Sequence, residues 1–395
     1  MATLKTSILG IEFENPFLLA SAPPTASIES IDKAFEMGWG GAILKTITPD
    51  NLEMVEASPR YATIKEKGKV ICLQNIELLS HETLQYWVDG IKYLKEKHPT
   101  KVIIASIMAP VERKEWQNLV KTLNDAPIDA YELNFSCPHG MPEKHIGMAI
   151  GTNAEISAMI TAWVKAVATK PVFVKLTPNV TNITWIANAV ERAGADGLAA
   201  INTVQSFMGI DLETLDPVLN IDGQSTYGGL SGEAVKPIGF KCVAQLRQNS
   251  DLPILGMGGI TNWEDAAQYI ALGSNAVQIC TEVMINGYGI INGLKSGLLN
   301  YLETKGFNDI SELKNIAIPK ITSHEKLNKK NHLYPSIDKD KCVSCGKCVK
   351  ICSESEYHAL GVSDNKSVIC IDKEKCAGCS LCSHVCPKEA IEMTC

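Results

Sequence analysis

Eight of the fourteen cysteines fall in two runs of one spacing: Cys342-x2-Cys345-x2-Cys348-x3-Cys352 and Cys376-x2-Cys379-x2-Cys382-x3-Cys386. This is the run that holds pairs of [4Fe–4S] clusters, in which the fourth cysteine of each run ligates the other run's cluster. The pattern assigns one cluster to Cys342, Cys345, Cys348 and Cys386, and the other to Cys352, Cys376, Cys379 and Cys382. Thiolates are soft ligands suited to iron, and the x2 spacing lets one tight loop aim three sulfurs at one cube. Disulfides would need an oxidising compartment, and zinc usually shows two CxxC pairs rather than a duplicated run of four. Pro387 follows Cys386, but Ser353 follows Cys352 where the pattern has Pro, which bears on the path of the chain after Cys352.

A second group of residues bears on two-electron chemistry. GMGGI at 256–260 and Cys280-Thr281 suit loops that let backbone N–H groups approach phosphate, although a glycine turn before a helix reads the same way. Clusters carry electrons singly, so redox chemistry on a carbon substrate needs a cofactor that joins one-electron to two-electron steps, as flavin does. No G-x-G-x-x-G occurs in the chain, and FMN is the economical choice. Lys45 and Lys175 would then steady the electron-rich N1–O2 edge of the flavin by charge. Cys137, in the loop NFSCPHGM at 134–141, suits a proton donor, because a thiol with a pKa near 8.5 stays protonated at neutral pH. His139 in the same loop is more simply structural or solvated.

The elements that must position these residues are short apolar runs alternating with helical patterns. The runs lie at 17–21, 41–46, 102–108, 130–136, 172–176, 197–202, 253–258 and 276–281. Strands buried on both faces read this way. Eight of them within about 300 residues point to a closed (β/α)8 barrel over residues 1–305, ahead of a doubly wound sheet. Ser21, Lys45, Asn134, Lys175, Asn202 and Thr281 stand at the C-terminal ends of their runs, where barrels of this kind carry their sites. The piece LKTSILGIEFENP reads as a two-stranded lid over the other end. Residues 306–333 read as a connecting segment, and 334–395 as a small α+β ferredoxin-like domain.

The net charge of −7 gives no reason to expect nucleic acid. The start MATLKTSILG lacks the apolar run of a signal peptide, and no stretch has the length of a membrane span. The expected location is cytoplasmic. Cys72, Cys242, Cys280, Cys370 and Cys395 sit outside any ligand spacing.

The motifs at 134–141, Lys175-Leu-Thr-Pro-Asn-Val, Asn202-Thr203-Val, Tyr227-Gly-Gly-Leu-Ser-Gly232 and Asn75-Ile-Glu77-Leu resemble the FMN and iron–sulfur portion of the dihydropyrimidine dehydrogenase family. With the cysteine tail in the same chain, the sequence is similar to the bacterial, PreA-type subunit of the NAD-dependent enzyme, with a dihydroorotate dehydrogenase-like barrel. The resemblance implies FMN contacts at Ser21, Lys45, Thr46, Asn134, Lys175, Gly232, Met257, Gly258, Gly259, Cys280 and Thr281. It implies pyrimidine contacts at Asn75, Glu77, Asn134, Ser136, Asn202 and Thr203, with Cys137 as general acid. It further implies pyrimidine catabolism: interconversion of uracil or thymine with the 5,6-dihydro forms. The electrons would pass to or from a PreT-like flavoprotein carrying FAD and the NAD(P) site, the pair doubling into a heterotetramer. One departure is Gln205-Ser206-Phe207, where mammalian members have smaller residues. Dihydroorotate dehydrogenase is the nearest alternative, opposed by the charge of Glu77 against orotate's carboxylate; an electron-relay subunit without catalysis is another.

Overall fold

The computed structural model describes residues 2–52, 55–135, 147–362 and 369–395. Contacts divide the chain into two compact units, Met1–Lys320 and Ile321–Cys395.

In the first unit, a hairpin of β1 (Thr6–Ile8) and β2 (Ile11–Phe13) precedes β3 (Phe17–Leu19) and β4 (Gly41–Ile43). A longer hairpin follows, β5 (Tyr61–Glu66) and β6 (Lys69–Asn75), before β7 (Val102–Ile107) and β8 (Ala130–Asn134). Next come β9 (Val172–Leu176), β10 (Gly197–Ala200), β11 (Val204–Ser206) and β12 (Gly228–Ser231), and then β13 (Ile254–Met257) and β14 (Ala276–Ile279). All pairs between β3, β4, β7, β8, β9, β10, β13 and β14 are parallel, and β14 returns to β3 through Val277 opposite Phe17, closing an eight-stranded barrel. These are the eight runs read from the sequence. Their residues are buried on both faces, which is why the runs are continuous rather than alternating.

Side-chain caps start the outer helices where the loops end. Ser27, Thr83, Asn153, Asn182 and Asn262 each accept a backbone N–H from the first turn of the following helix. Ile8 and Phe13 of the β1–β2 hairpin join Leu18, Ile104, Phe173 and Leu255 in a cluster inside the barrel. The hairpin thus plugs the N-terminal end, and each such large apolar side chain contributes about 1.5–3 kcal/mol by burial. After the helix Ile291–Lys305, residues to Lys320 still pack on the barrel: Ile310 and Leu313 are buried, and the Asn315 and Ala317 N–H groups donate to the carbonyls of Ile270 and Ala271. The division between units therefore falls inside the segment expected to connect them.

A four-stranded antiparallel sheet, β11-β12-β6-β5, was not anticipated. Its residues Tyr61, Leu73, Asn75 and Leu230 share a cavity with the C-terminal ends of the barrel strands, so it roofs the mouth. Lys67 and Gly68, both at positive φ, turn β5 into β6, as a two-residue hairpin turn requires.

In the second unit, β15 (Tyr334–Ile337) pairs antiparallel with β18 (Ile391–Thr394), and β16 (Leu360–Val362) with β17 (Ile369–Ile371). Helices Lys347–Glu354 and Leu381–His384 each carry the third cysteine of a run, Cys348 and Cys382, into the small core. No helix among the described residues is long and apolar enough to cross a membrane.

Candidate active site and cluster sites

The C-terminal ends of the barrel strands and the roof sheet enclose a cavity of ≈ 1220 Å³, counting the space open to solvent. Ser21, Lys45, Thr46, Asn134, Lys175, Gly232, Met257, Gly258, Gly259, Cys280 and Thr281 all line it, as do Asn75, Glu77, Asn202 and Thr203. Ser136, Cys137 and His139 lie outside the described residues.

One polar chain runs across the cavity floor. Thr46 Oγ1 is 3.1 Å from Ser21 Oγ and 3.0 Å from Ser106 Oγ, and it accepts from Asn134 Nδ2 at 2.9 Å. Asn134 Oδ1 in turn accepts from Asn202 Nδ2 at 3.2 Å, and Asn202 Oδ1 accepts the Thr203 N–H. These bonds fix the faces presented by the amides of Asn134, the last residue of β8, and Asn202, just beyond β10. Asn179 braces the loop after Asn202 by donating to the Thr203 carbonyl at 3.1 Å and accepting the Gln205 N–H at 2.9 Å. The departure Gln205-Ser206-Phe207 lies at β11 and just beyond, outside the cavity lining, with Phe207 exposed and edge-on to Tyr227.

Under the roof, Glu77 takes Lys45 Nζ at 2.9 Å and the Tyr61 hydroxyl at 2.6 Å, with Arg60 Nη1 at 3.4 Å. Burial alone would raise the Glu77 carboxyl, but the Lys45 charge, the Tyr61 and Lys45 hydrogen bonds and Arg60 together hold it below the usual carboxylate value. Two cations therefore offset the charge expected to repel a carboxylate substrate, and Glu77 is no isolated negative group. Tyr61 and Arg60 escaped the sequence reading because their role depends on the roof hairpin.

Does FMN fit these residues? Gly232, Gly258 and Gly259 all have positive φ, and a Cβ on Gly259 would sit 2.7 Å from the Gly232 carbonyl oxygen and 2.9 Å from the Lys236 nitrogen. Backbone this close leaves space only for glycine and suits a cradle for phosphate oxygens. The buried ammonium groups of Lys45 and Lys175 add positive charge inside the same cavity. The donor set fits an anionic, flavin-sized cofactor.

Burial pushes the Cys280 thiol up to about 11, against the pull of Lys175 and Lys45. It is a neutral thiol in the cavity wall, 3.6 Å from Met284 Sδ. Under mildly alkaline iodoacetamide, the cluster-loaded protein should label exposed Cys370 and Cys395 well before Cys242 and Cys280, because only a thiolate reacts. Peptide mass mapping reads the order, and early labelling of Cys280 would contradict its raised pKa.

In the second unit, Cys342, Cys345, Cys348 and Cys386 line one cavity of ≈ 370 Å³, and Cys352, Cys376, Cys379 and Cys382 another of ≈ 360 Å³. Each set gathers four thiol sulfurs around one space. That is the donor chemistry a cube of four irons requires. Backbone N–H groups of Ala390 and Ala359 donate at 3.3 Å to the sulfurs of Cys386 and Cys352, bonds of the type that tune cluster potential. The two runs differ after the fourth cysteine. Without a proline, the helix Lys347–Glu354 continues past Cys352 and is followed by the positive-φ residues Glu356 and His358, whereas the helix Leu381–His384 stops before Cys386-Pro387.

Comparison with known proteins follows this division. The dihydroorotate dehydrogenase family profile matches residues 3–302, and the 4Fe-4S dicluster domain profile matches residues 335–393. The chain is 38% identical over 365 residues to the NAD-dependent dihydropyrimidine dehydrogenase subunit PreA of Escherichia coli (strain K12), covering 91% of this chain and 88% of that one. It is 37% identical over 339 residues to the chloroplastic dihydropyrimidine dehydrogenase (NADP(+)) of Arabidopsis thaliana, covering 83% and 80%. It is 34% identical over 321 residues to the catalytic subunit of dihydroorotate dehydrogenase B (NAD(+)) of Pyrococcus abyssi, covering 80% and 99%.

Proposed function

We propose a function from the premise that this chain belongs to the dihydroorotate dehydrogenase family, extended by a 4Fe-4S dicluster domain. It interconverts uracil or thymine with the 5,6-dihydro form, exchanging electrons through its two clusters with a separate nicotinamide-binding flavoprotein. The observation that carries this reading is the hydrogen-bonded amide array of Asn134 and Asn202, sharing one cavity with Asn75 and Thr203. A pyrimidine ring alternates carbonyl and N–H groups, and each amide offers both an acceptor and a donor to meet them. Relatives named as dihydropyrimidine dehydrogenases support it, since the match to PreA spans 91% of this chain.

When bound, FMN supplies or accepts the hydride at C6 of the ring. The chain's own residues do the rest. Asn75, Asn134, Ser136, Asn202 and Thr203 bind and orient the pyrimidine, and Glu77 holds Lys45 in place beside it. Lys45 and Lys175 provide positive charge where electron density gathers. Cys137 holds the proton on its sulfur and delivers it to C5, then takes it back in the oxidative direction. The roof sheet limits the access of water to the site.

The test compares ligands rather than turnover. Uracil and thymine, or the dihydro forms, should perturb the absorbance of the bound flavin, and orotate should not. Tight orotate binding with no response to uracil would instead assign the chain to dihydroorotate oxidation. That outcome is a real alternative, because the offset charge of Glu77 no longer excludes a carboxylate.

A further inference from the structure

Directly below Lys175, the barrel interior contains a carboxylate that the proposed chemistry does not use. Strand β8 alternates Ala130, Glu132 and Asn134; Ala130 belongs to the inner cluster, so Glu132 points inward by the same period of two. Its side chain is fully buried. Gln278 of β14, two residues after inward-facing Ala276, donates from Nε2 to Glu132 Oε2 at 2.6 Å across the barrel. Lys175 of β9, two residues after inward-facing Phe173, places Nζ 3.5 Å from Glu132 Oε1. Neither Glu132 Oε1 nor Gln278 Oε1 receives a hydrogen bond.

An ionised carboxylate in such a place is unfavourable before it is paired, and an apolar residue would fill the layer without that penalty. Packing therefore gives no reason for Glu132. Lys175 does, because its ammonium is itself buried and faces the cavity from below. We infer that Glu132 is the built-in counter-charge of Lys175, anchored from the far wall by Gln278, and that it limits the positive charge Lys175 presents to the flavin. Glu132 is a positioning residue acting through Lys175, and the inference rests on the placement of Lys175 against the flavin given above.

A negative charge removed from beneath the flavin favours the electron-rich form of the cofactor, so the sign of the effect is fixed. In the FMN-loaded full chain, Glu132→Gln keeps the shape and an acceptor but loses the charge. It should raise the flavin reduction potential, changing the oxidised-to-reduced ratio at fixed ambient potential by about tenfold, which is about 30 mV for a two-electron couple. FMN content and the flavin potential, measured by dye equilibration, are the readouts. A folded, FMN-loaded Glu132→Gln whose potential is unchanged or lower overturns the inference, even if its melting temperature falls. Should that variant not fold, Glu132→Asp, which withdraws the carboxylate by one methylene, should shift the potential upward by a smaller amount, and no shift there overturns it equally. Lys175→Met separates the two readings. It should lower the potential or lose the FMN; if it does neither, the placement of Lys175 at the flavin fails. If it does and the Glu132 variants do nothing, the counter-charge fails alone.

Discussion

Replacing Cys137 with Ala should leave FMN bound and slow pyrimidine reduction by about 10² to 10⁴, which corresponds to about 3–5 kcal/mol of barrier. The effect is large because, among the described residues at the cavity, no other group is suited to the proton. Cys280 is a thiol in the same wall, but burial puts its pKa at about 11, too high for efficient transfer near neutrality. Glu77 errs the other way: Lys45, Tyr61 and Arg60 keep it ionised well into acid, so it has no proton to give at neutral pH. Tyr61 is raised by burial and by Glu77 and already donates its proton to that carboxylate. The pH profile should carry the same signature. Glu77, with its folded pKa lowered, favours the folded state above the unfolded carboxylate value, and this contribution disappears only as pH falls through the lower folded value. It therefore adds no limb near neutrality, whereas an alkaline limb should appear in the wild type and vanish in Cys137→Ala. Near-normal turnover by the Ala variant, measured with a chemical reductant, would remove Cys137 from the mechanism. Cys137→Ser should retain slight activity, a hydroxyl being the poorer acid.

What the sequence made legible follows from where water is. The eight barrel strands stand out because both faces are dry, leaving runs such as VIIASI and AVQI with scarcely a polar break. The polar residues that close those runs were equally visible, because a lysine or asparagine at the end of an apolar strand has few explanations. Cluster ligands were plain from spacing alone. The roof was not, since β11 and β12 are three and four residues long and rich in glycine and polar side chains, and β5 runs into the exposed turn at Lys67-Gly68. Tyr61 and Arg60 were lost with it. Glu132 and Gln278 were missed for a different reason. One polar residue inside an apolar run reads as an interruption until closure of the barrel shows that the period of two aims both side chains at the same interior point.

The isolated chain should give almost no NADH- or NADPH-driven reduction of uracil, yet turn over with reduced viologens as one-electron donors. The sequence carries two cluster runs but no dinucleotide fingerprint, and the strands of the first unit close into a barrel rather than opening into the doubly wound sheet that binds nicotinamide dinucleotides. The cavity described for FMN and substrate has its glycine cradle at one phosphate position, with no second pair of loops of that kind among the described residues. The described residues therefore offer no second cradle for a nicotinamide dinucleotide, and one-electron donors are expected to enter through the clusters. Purified without oxygen, the chain should contain about eight iron and eight sulfide for one FMN. Substituting Ser for Cys348 or Cys382, the buried third cysteine of each run, should abolish viologen-driven turnover while leaving FMN and uracil binding intact, because the cysteines belong to the second unit and the cavity to the first. Adding the nicotinamide-binding flavoprotein should restore NADH-driven turnover to the wild-type chain and not to those variants. Rapid NADH turnover by the pure chain would mean that the barrel itself accepts the nicotinamide, and persistence of viologen activity after loss of a cluster would mean that electrons reach the flavin by another route.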